Sequence, residues 1–187
     1  GGFALSSGDL DGDGLDDLAV GLRSIRPEVD NVGGVWVVPG SELVGRLQSD
    51  AFTPWTGVPF LPDPADVVPV PMNRASDAGL TVWGRIASGY GDAVAIIPSA
   101  SSDSGMALAV GAPFDDADGL DSGSVAVYRW QDGVGLDRVP STLVVSDGIT
   151  ARLGQSVSGD GGYLAFGSPL SDIPGPDNGA AYVVEIP

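Results

Sequence analysis

The segment Leu18–Val38 reads LAVGLRSIRPEVDNVGGVWVV, and two later segments of the same chain align with it without a gap. Leu108–Tyr128 reads LAVGAPFDDADGLDSGSVAVY, and Leu164–Val184 reads LAFGSPLSDIPGPDNGAAYVV. Each segment has a short apolar run ending in glycine, a turn-rich loop ending in a second glycine, and another apolar run. Short apolar runs bounded by turn residues are typical of β-strands. The triplicated pattern therefore predicts a fold built from repeated strand units.

Further apolar stretches complete each unit. GFAL begins at Gly2, YGDAVA at Tyr90 and LGQSV at Leu153, each upstream of its aligned segment. Leu80–Ile86 (LTVWGRI) and Ser141–Val145 (STLVV) supply a fourth strand. We predict an all-β fold of β-propeller blades, with three four-stranded repeats left open or completed by other chain segments or subunits. A β-sandwich with coincidental internal similarity is the alternative.

The pattern places one repeat region over residues 1–187. Repeat 1 spans about 1–86, repeat 2 about 87–145 and repeat 3 about 150–187. Repeat 1 contains a proline-rich insertion at about 45–79, which is predicted to be extended and not a central strand. Its aromatic residues either pack onto their own repeat or form a docking surface for a partner; they are Phe52, Trp55 and Phe60.

Composition excludes several classes of function. With 25 acidic and 8 basic residues, the chain carries a net charge of −17, which repels nucleic-acid phosphates and anionic lipid surfaces. We expect no nucleic-acid partner and no membrane insertion, and find neither a spanning apolar run nor a signal peptide. The chain has no His or Cys, so classical catalytic triads and zinc or iron sites are excluded. An acidic surface without lysine is also typical of adaptation to salt.

An acidic loop, DLDGDGLDD at Asp9–Asp17, carries the most specific chemistry. Its carboxylates stand at loop positions 1, 3, 5 and 9, with glycine at 6 and a main-chain carbonyl at 7, which is the ligand spacing of a calcium loop. Val20 stands where an EF-hand has glutamate, and an extended apolar run follows, so we expect this loop to join two strands. Magnesium fits less well, and a solvated turn without an ion is the alternative.

The corresponding places in the other repeats keep one carboxylate each, Asp103 and Asp160, which is too few for an ion. A second acidic cluster lies in the long loop of repeat 2, but its spacing matches no ligand pattern. It is interpreted as an ordinary acidic turn and consists of Asp115, Asp116, Asp118 and Asp121.

Glycine signatures complete the pattern: Tyr90-Gly91 precedes Gly111-Ala112-Pro113, and Leu153-Gly154 precedes Gly167-Ser168-Pro169. With the DxDxDGxxD loop, these motifs make the sequence resemble the FG-GAP repeat family, which includes the N-terminal β-propeller of integrin α subunits and related bacterial surface proteins. The resemblance covers most of the chain outside the insertion, although Gly21-Leu22-Arg23 replaces the expected GAP. It implies one Ca²⁺ held by Asp9, Asp11, Asp13, Asp17 and the Leu15 carbonyl.

The resemblance also implies a non-enzymatic, extracellular or cell-surface module of prokaryotic origin that serves adhesion or surface assembly with a protein or glycan partner. Since propellers usually have four to eight blades, three repeats leave open sheet edges through which the chain could self-assemble. The alternatives are a structural subunit of a strand-complemented filament or oligomer, and the non-catalytic part of a carbohydrate-active or lipase-like enzyme. Glu185 is the one carboxylate in an apolar segment that paired-acid catalysis could use.

Overall fold

The computed structural model describes residues 3–26, 32–48, 82–83, 88–137, 139–146, 148–172 and 175–186. These residues form three antiparallel β-sheets and one short helix, and none of the sheets closes on itself within the described ranges. The predicted all-β class is therefore confirmed. Most of the insertion, including Phe52, Trp55 and Phe60, lies outside the described residues.

The first sheet has four strands in chain order. They are β1 (Phe3–Gly8), β2 (Asp17–Arg26), β3 (Val32–Val38) and β4 (Val82–Trp83). The last of these falls inside the stretch that predicted a fourth strand.

Helix α1 (Gly40–Gln48) follows β3 and was not expected from the sequence. It covers the start of the insertion, so the prediction that this region is extended throughout is wrong for residues 45–48. The physical reason lies at the helix N-terminus, where Glu42 and the carboxylate of Asp17 both favour the first turn. The first proline of the insertion, Pro54, comes after the helix and does not interrupt it.

The second sheet contains five strands. They are β5 (Ala93–Pro98), β6 (Met106–Ala112), β7 (Ser124–Gln131), β8 (Gly135–Leu136) and β9 (Thr142–Val145). Strands β8 and β9 both pair with β7, and β9 lies within the stretch that predicted the fourth strand of repeat 2. The third sheet has three strands, which are β10 (Ser156–Asp160), β11 (Tyr163–Ser168) and β12 (Ala180–Glu185).

The second sheet lies between the other two, and its strands β5, β6 and β7 are largely buried on both faces. On β5, Val94 and Ile96 belong to the core shared with the first sheet, whereas Ala95 and Ile97 belong to the core shared with the third. A strand buried on both faces reads as a continuous apolar run, as AVAIIP does here. Strands β10 and β12 of the third sheet instead alternate between exposed and half-buried side chains, so only one face of that sheet is covered.

Glycine allows neighbouring sheets to approach closely. A side chain at Gly21 would collide with the carbonyl oxygen of Gly91, just before β5 of the second sheet, and one at Gly111 would collide with that of Gly154, just before β10 of the third. Both glycines occupy the same place in their aligned segments. They permit main-chain contact where a larger residue would separate the sheets.

Loops of matching geometry connect the second and third strands of the last two sheets. Asp121 N donates a hydrogen bond to Asp116 Oδ1 at 2.8 Å in one loop, and Asp177 N donates to Asp172 Oδ1 at 2.9 Å in the other. Asp121 and Asp177 both have positive φ, at 50° and 52°. An equivalent hydrogen bond to an aspartate side chain thus closes each of the two loops.

Phe114 connects all three sheets. The guanidinium of Arg23 from the first sheet lies 4.8 Å from its ring centroid, and that of Arg152, which precedes the third sheet, lies 4.9 Å away. Arg23 also forms an ion pair at 3.4 Å with Asp92, next to β5. Both are cation–π contacts to a residue of the loop after β6.

Candidate functional site

The acidic loop joins β1 to β2, as the sequence predicted, and lies beside the N-terminus of α1. Leu10 is fully buried in the core between the first two sheets, whereas the following residues from Gly12 to Asp16 are exposed. One apolar side chain therefore anchors an otherwise solvent-facing loop. The sequence pattern alone did not reveal this anchor, because Leu10 is a single apolar residue among aspartates.

Asp17 organises the base of the loop. Its Oδ2 accepts hydrogen bonds from Leu10 N at 2.8 Å and from Asp11 N at 3.2 Å, and its Oδ1 accepts one from Gly40 N at 2.8 Å. Burial raises the pKa of Asp17 above its usual value, and hydrogen bonds from Gly40 and Leu10 only partly offset that rise. A cation near this carboxylate would therefore favour its charged form.

The other loop carboxylates accept hydrogen bonds from the loop's own main chain. Asp9 accepts from Gly12 N at 2.8 Å and Gly14 N at 3.0 Å, through different oxygens. Asp11 Oδ1 accepts from Asp13 N at 3.0 Å, and Asp13 Oδ1 accepts from Leu15 N at 2.8 Å. Gly12 and Gly14 have φ of 80° and 88°, a conformation in which other residues would be strained. The loop is thus wound tightly around its acidic side chains.

Three of the predicted ligands converge. Single carboxylate oxygens of Asp9, Asp11 and Asp17 all lie within 4.8 Å of one another, and no other group of three such side chains occurs among the described residues. Asp13 is not a member of this group, and Leu15 lies on the exposed side of the loop against the first residue of α1. The donors are all oxygen atoms, which suits Ca²⁺ or Mg²⁺ and not the softer metals.

The remaining acidic residues singled out from the sequence have other partners. Asp103 accepts a hydrogen bond from Asp132 N at 3.0 Å, and Asp160 lies at the exposed end of β10. Asp115 is buried and accepts from Ser124 Oγ at 2.8 Å. Glu185, considered for paired-acid catalysis, is exposed on β12.

A buried tyrosine pair was not anticipated from the sequence. Tyr90 donates a hydrogen bond to the hydroxyl of Tyr128 at 2.6 Å, inside the core between the first two sheets. Burial raises the pKa of Tyr128 to about 12 and raises that of Tyr90 well above its usual value, with Tyr128 and Asp115 adding to the effect at Tyr90. In the sequence, Tyr90 lies in a glycine signature and Tyr128 lies at the end of an aligned segment. Neither pattern indicates that the two side chains are in contact, because the contact depends on how the sheets pack.

Comparison with known protein families and with curated protein sequences found no match to this chain. Among the residues that the structure describes, no helix is long and apolar enough to cross a membrane.

Proposed function

We propose that this chain is a non-enzymatic, calcium-stabilised β-propeller module that acts outside the cell in adhesion or surface assembly. The observation that carries the proposal is the convergence of Asp9, Asp11 and Asp17 at a loop between two strands. In this assignment, Asp13 and the Leu15 carbonyl complete the set of oxygen ligands. The three sheets, packed face to face, are the blades of the module.

Electrostatics favour an ion in this loop. Two unit charges 4 Å apart repel by about 4 kcal/mol at an effective dielectric constant of about 20. Three carboxylate oxygens within 4.8 Å of one another therefore oppose folding unless a cation compensates them. Asp17 adds a further cost because it is buried. A divalent cation removes both costs and suits an all-oxygen site.

The calcium concentration outside cells matches the expected affinity of such a loop. Extracellular calcium modules bind with dissociation constants of about 0.1 to 1 mM. At a free calcium concentration ten times the dissociation constant, binding stabilises the folded chain by about 1.4 kcal/mol. This comparison supports an extracellular location.

The test is thermal unfolding in millimolar Ca²⁺ and in excess chelator. We expect a higher Tm with Ca²⁺, and we expect the Asp11→Asn variant to lose that increase. Asp160→Asn removes the same charge from an exposed strand end and should keep the full response. NaCl at matched ionic strength separates binding from screening. If Tm does not change with Ca²⁺ or chelator, the calcium proposal is wrong.

A second candidate is a structural subunit of a filament or oligomer completed by strands of other chains. The observation that favours it is β12, which pairs only with β11 among the described strands and so forms an edge of the third sheet. Sedimentation of the purified chain separates the two functions, since a filament subunit assembles without any ligand. A discrete species over a wide concentration range would exclude the filament.

A further inference from the structure

Among the described residues, the first and third sheets each have one face that no other sheet covers. These two outer faces correspond to the two sides of the sheet-to-sheet contact that occurs twice within the molecule. Gly21 and Gly111 lie on the faces where the first and second sheets meet the next sheet, and the main chain just before the first strand of that next sheet covers each of them. Gly167 holds the same position in the third sheet. A side chain there would approach only Ser156 of its own sheet, so this place is uncovered.

Side chains around Gly167 are exposed where their counterparts are buried. Val37 and Val127 are 3% and 2% exposed, but the aligned Val183 is 67% exposed. Ala19 and Ala109 are fully buried, whereas the aligned Ala165 is half-buried. Ala165 pairs with Val183, so the two lie side by side on one face. The same face also carries exposed polar residues, because Ser158 pairs with Ala165, and Asp160 and Glu185 pair with Tyr163. The third sheet therefore presents to solvent a mixed face, whose apolar part corresponds to a surface that the other two sheets bury.

The first sheet presents the complementary half at the other end of the molecule. Leu5 pairs with Val20 across β1 and β2, as Val94 pairs with Val110 across β5 and β6. Val94 faces the preceding sheet and is 7% exposed, but Leu5 is 64% exposed. The first sheet therefore lacks the covering that the equivalent face of the second sheet receives from it.

We propose that two copies of this chain bind head to tail, with the outer face of the third sheet of one copy against the outer face of the first sheet of the other. In this arrangement, each outer face packs against the same type of face that covers the aligned face inside the molecule. Two such contacts join six sheets into a closed ring, within the usual range of four to eight for radial β-sheet folds. Calcium takes no part in this contact.

The assembly has to overcome a large charge. Each copy carries −17, so two copies repel one another at long range. Asp160 and Glu185 on the third-sheet surface add to this repulsion. The apolar side chains that the contact buries are Leu5 on one copy and Tyr163, Ala165 and Val183 on the other. Their burial supplies the attraction, and added salt should strengthen the assembly because it screens the repulsion.

Sedimentation equilibrium in moderate salt tests the proposal. We expect the wild-type chain to have about twice the mass of its 18.8 kDa monomer, with or without chelator. Leu5→Asp and Val183→Asp should each be monomeric, because each blocks one of the two faces. Val134→Asp places the same charge at a 69% exposed residue in the turn between β7 and β8, outside both faces, and should remain dimeric.

A mixture of Leu5→Asp and Val183→Asp distinguishes head-to-tail pairing from pairing between identical faces. Leu5→Asp retains an intact third sheet and Val183→Asp retains an intact first sheet, so an equimolar mixture should form a heterodimer through one contact. A monomeric wild type, a dimeric single variant or a mixture that stays monomeric would each overturn the proposal. Folding is checked by circular dichroism, with Leu5→Asn and Val183→Asn as milder replacements.

Discussion

At the scale of the single residue, Asp17 has two roles: it accepts hydrogen bonds from main-chain N–H groups, and it belongs to the proposed ion site. It accepts hydrogen bonds from three main-chain N–H groups that belong to the loop and to α1. Asp11 contacts one loop N–H and is half-buried. The two residues should therefore respond differently to substitution.

We expect Asp17→Ala to destabilise the chain by about 3 kcal/mol in millimolar Ca²⁺, where the proposed ion compensates the loop charges, because the substitution leaves buried N–H donors without an acceptor. Asp16→Ala removes the same charge from an exposed neighbour and should change stability by less than about 0.5 kcal/mol. Urea unfolding measures both values. Equal effects of the two substitutions would show that the hydrogen bonds of Asp17 contribute little.

Tyr90 and Tyr128 make stability depend on alkaline pH. In the unfolded chain both phenols ionise near pH 10, whereas in the folded chain burial raises the pKa of Tyr128 to about 12 and raises that of Tyr90 well above its usual value. The unfolded state therefore loses protons first as the pH rises. The stability that depends on these phenols is fully present below pH 10 and declines above it.

We expect the free energy of unfolding to fall as the pH rises above about 10, and the double variant Tyr90→Phe/Tyr128→Phe to show a smaller fall. The chain has no Lys or Cys to titrate in the same range. Urea unfolding at a series of alkaline pH values makes the measurement, and tyrosinate absorbance follows ionisation. A double variant as sensitive as the wild type would contradict the assignment.

At the scale of secondary-structure elements, the position of a glycine on a strand determines how closely two sheets approach. Gly111→Ala should destabilise the chain by about 3 kcal/mol, since the new methyl group overlaps the Gly154 carbonyl and forces the sheets apart. Gly167→Ala is the matched control, because it changes the aligned glycine where only the movable Ser156 side chain lies nearby. Unfolding is compared in the Val183→Asp background, which keeps the chain monomeric.

The strands could be predicted from the sequence because each combines an apolar run with flanking turn residues, as in β6 and β11. Helix α1 could not be predicted in the same way. Its stability depends on the contact between Asp17 and Gly40, residues that are distant in the chain and meet only after β2 and β3 have paired. Local sequence patterns do not contain such long-range contacts.

The sequence predicted both the residues that form the acidic loop and its position between two strands. Spacing identified the carboxylates of Asp9, Asp11, Asp13 and Asp17, and the structure brings three of them together, without Asp13. Spacing could not show that Asp17 is buried, because its burial depends on packing against Leu10 and α1. The tyrosine pair was missed for the same reason, since Tyr90 and Tyr128 meet across strands.

At the scale of the whole molecule, the charge of −17 acts on every described element at once. In excess chelator, we expect Tm to rise steadily as NaCl increases from about 0.01 to 0.5 M, because the screening length falls from about 30 Å to below 8 Å. Ca²⁺ should add a saturable increase at constant ionic strength. Differential scanning calorimetry separates these two responses, and a Tm independent of NaCl would show that the charges are too far apart to repel effectively.

The burial of both faces of the middle sheet limits how this chain can vary. Val94 and Ala95 are neighbours on β5, yet they serve different cores, so no side of that strand can accept a polar residue without harming one of the two interfaces. The third sheet is buried on one face, and its other face tolerates polar substitutions in the monomer. Sequence change in related chains should therefore accumulate on the end sheets while the central one stays nearly fixed.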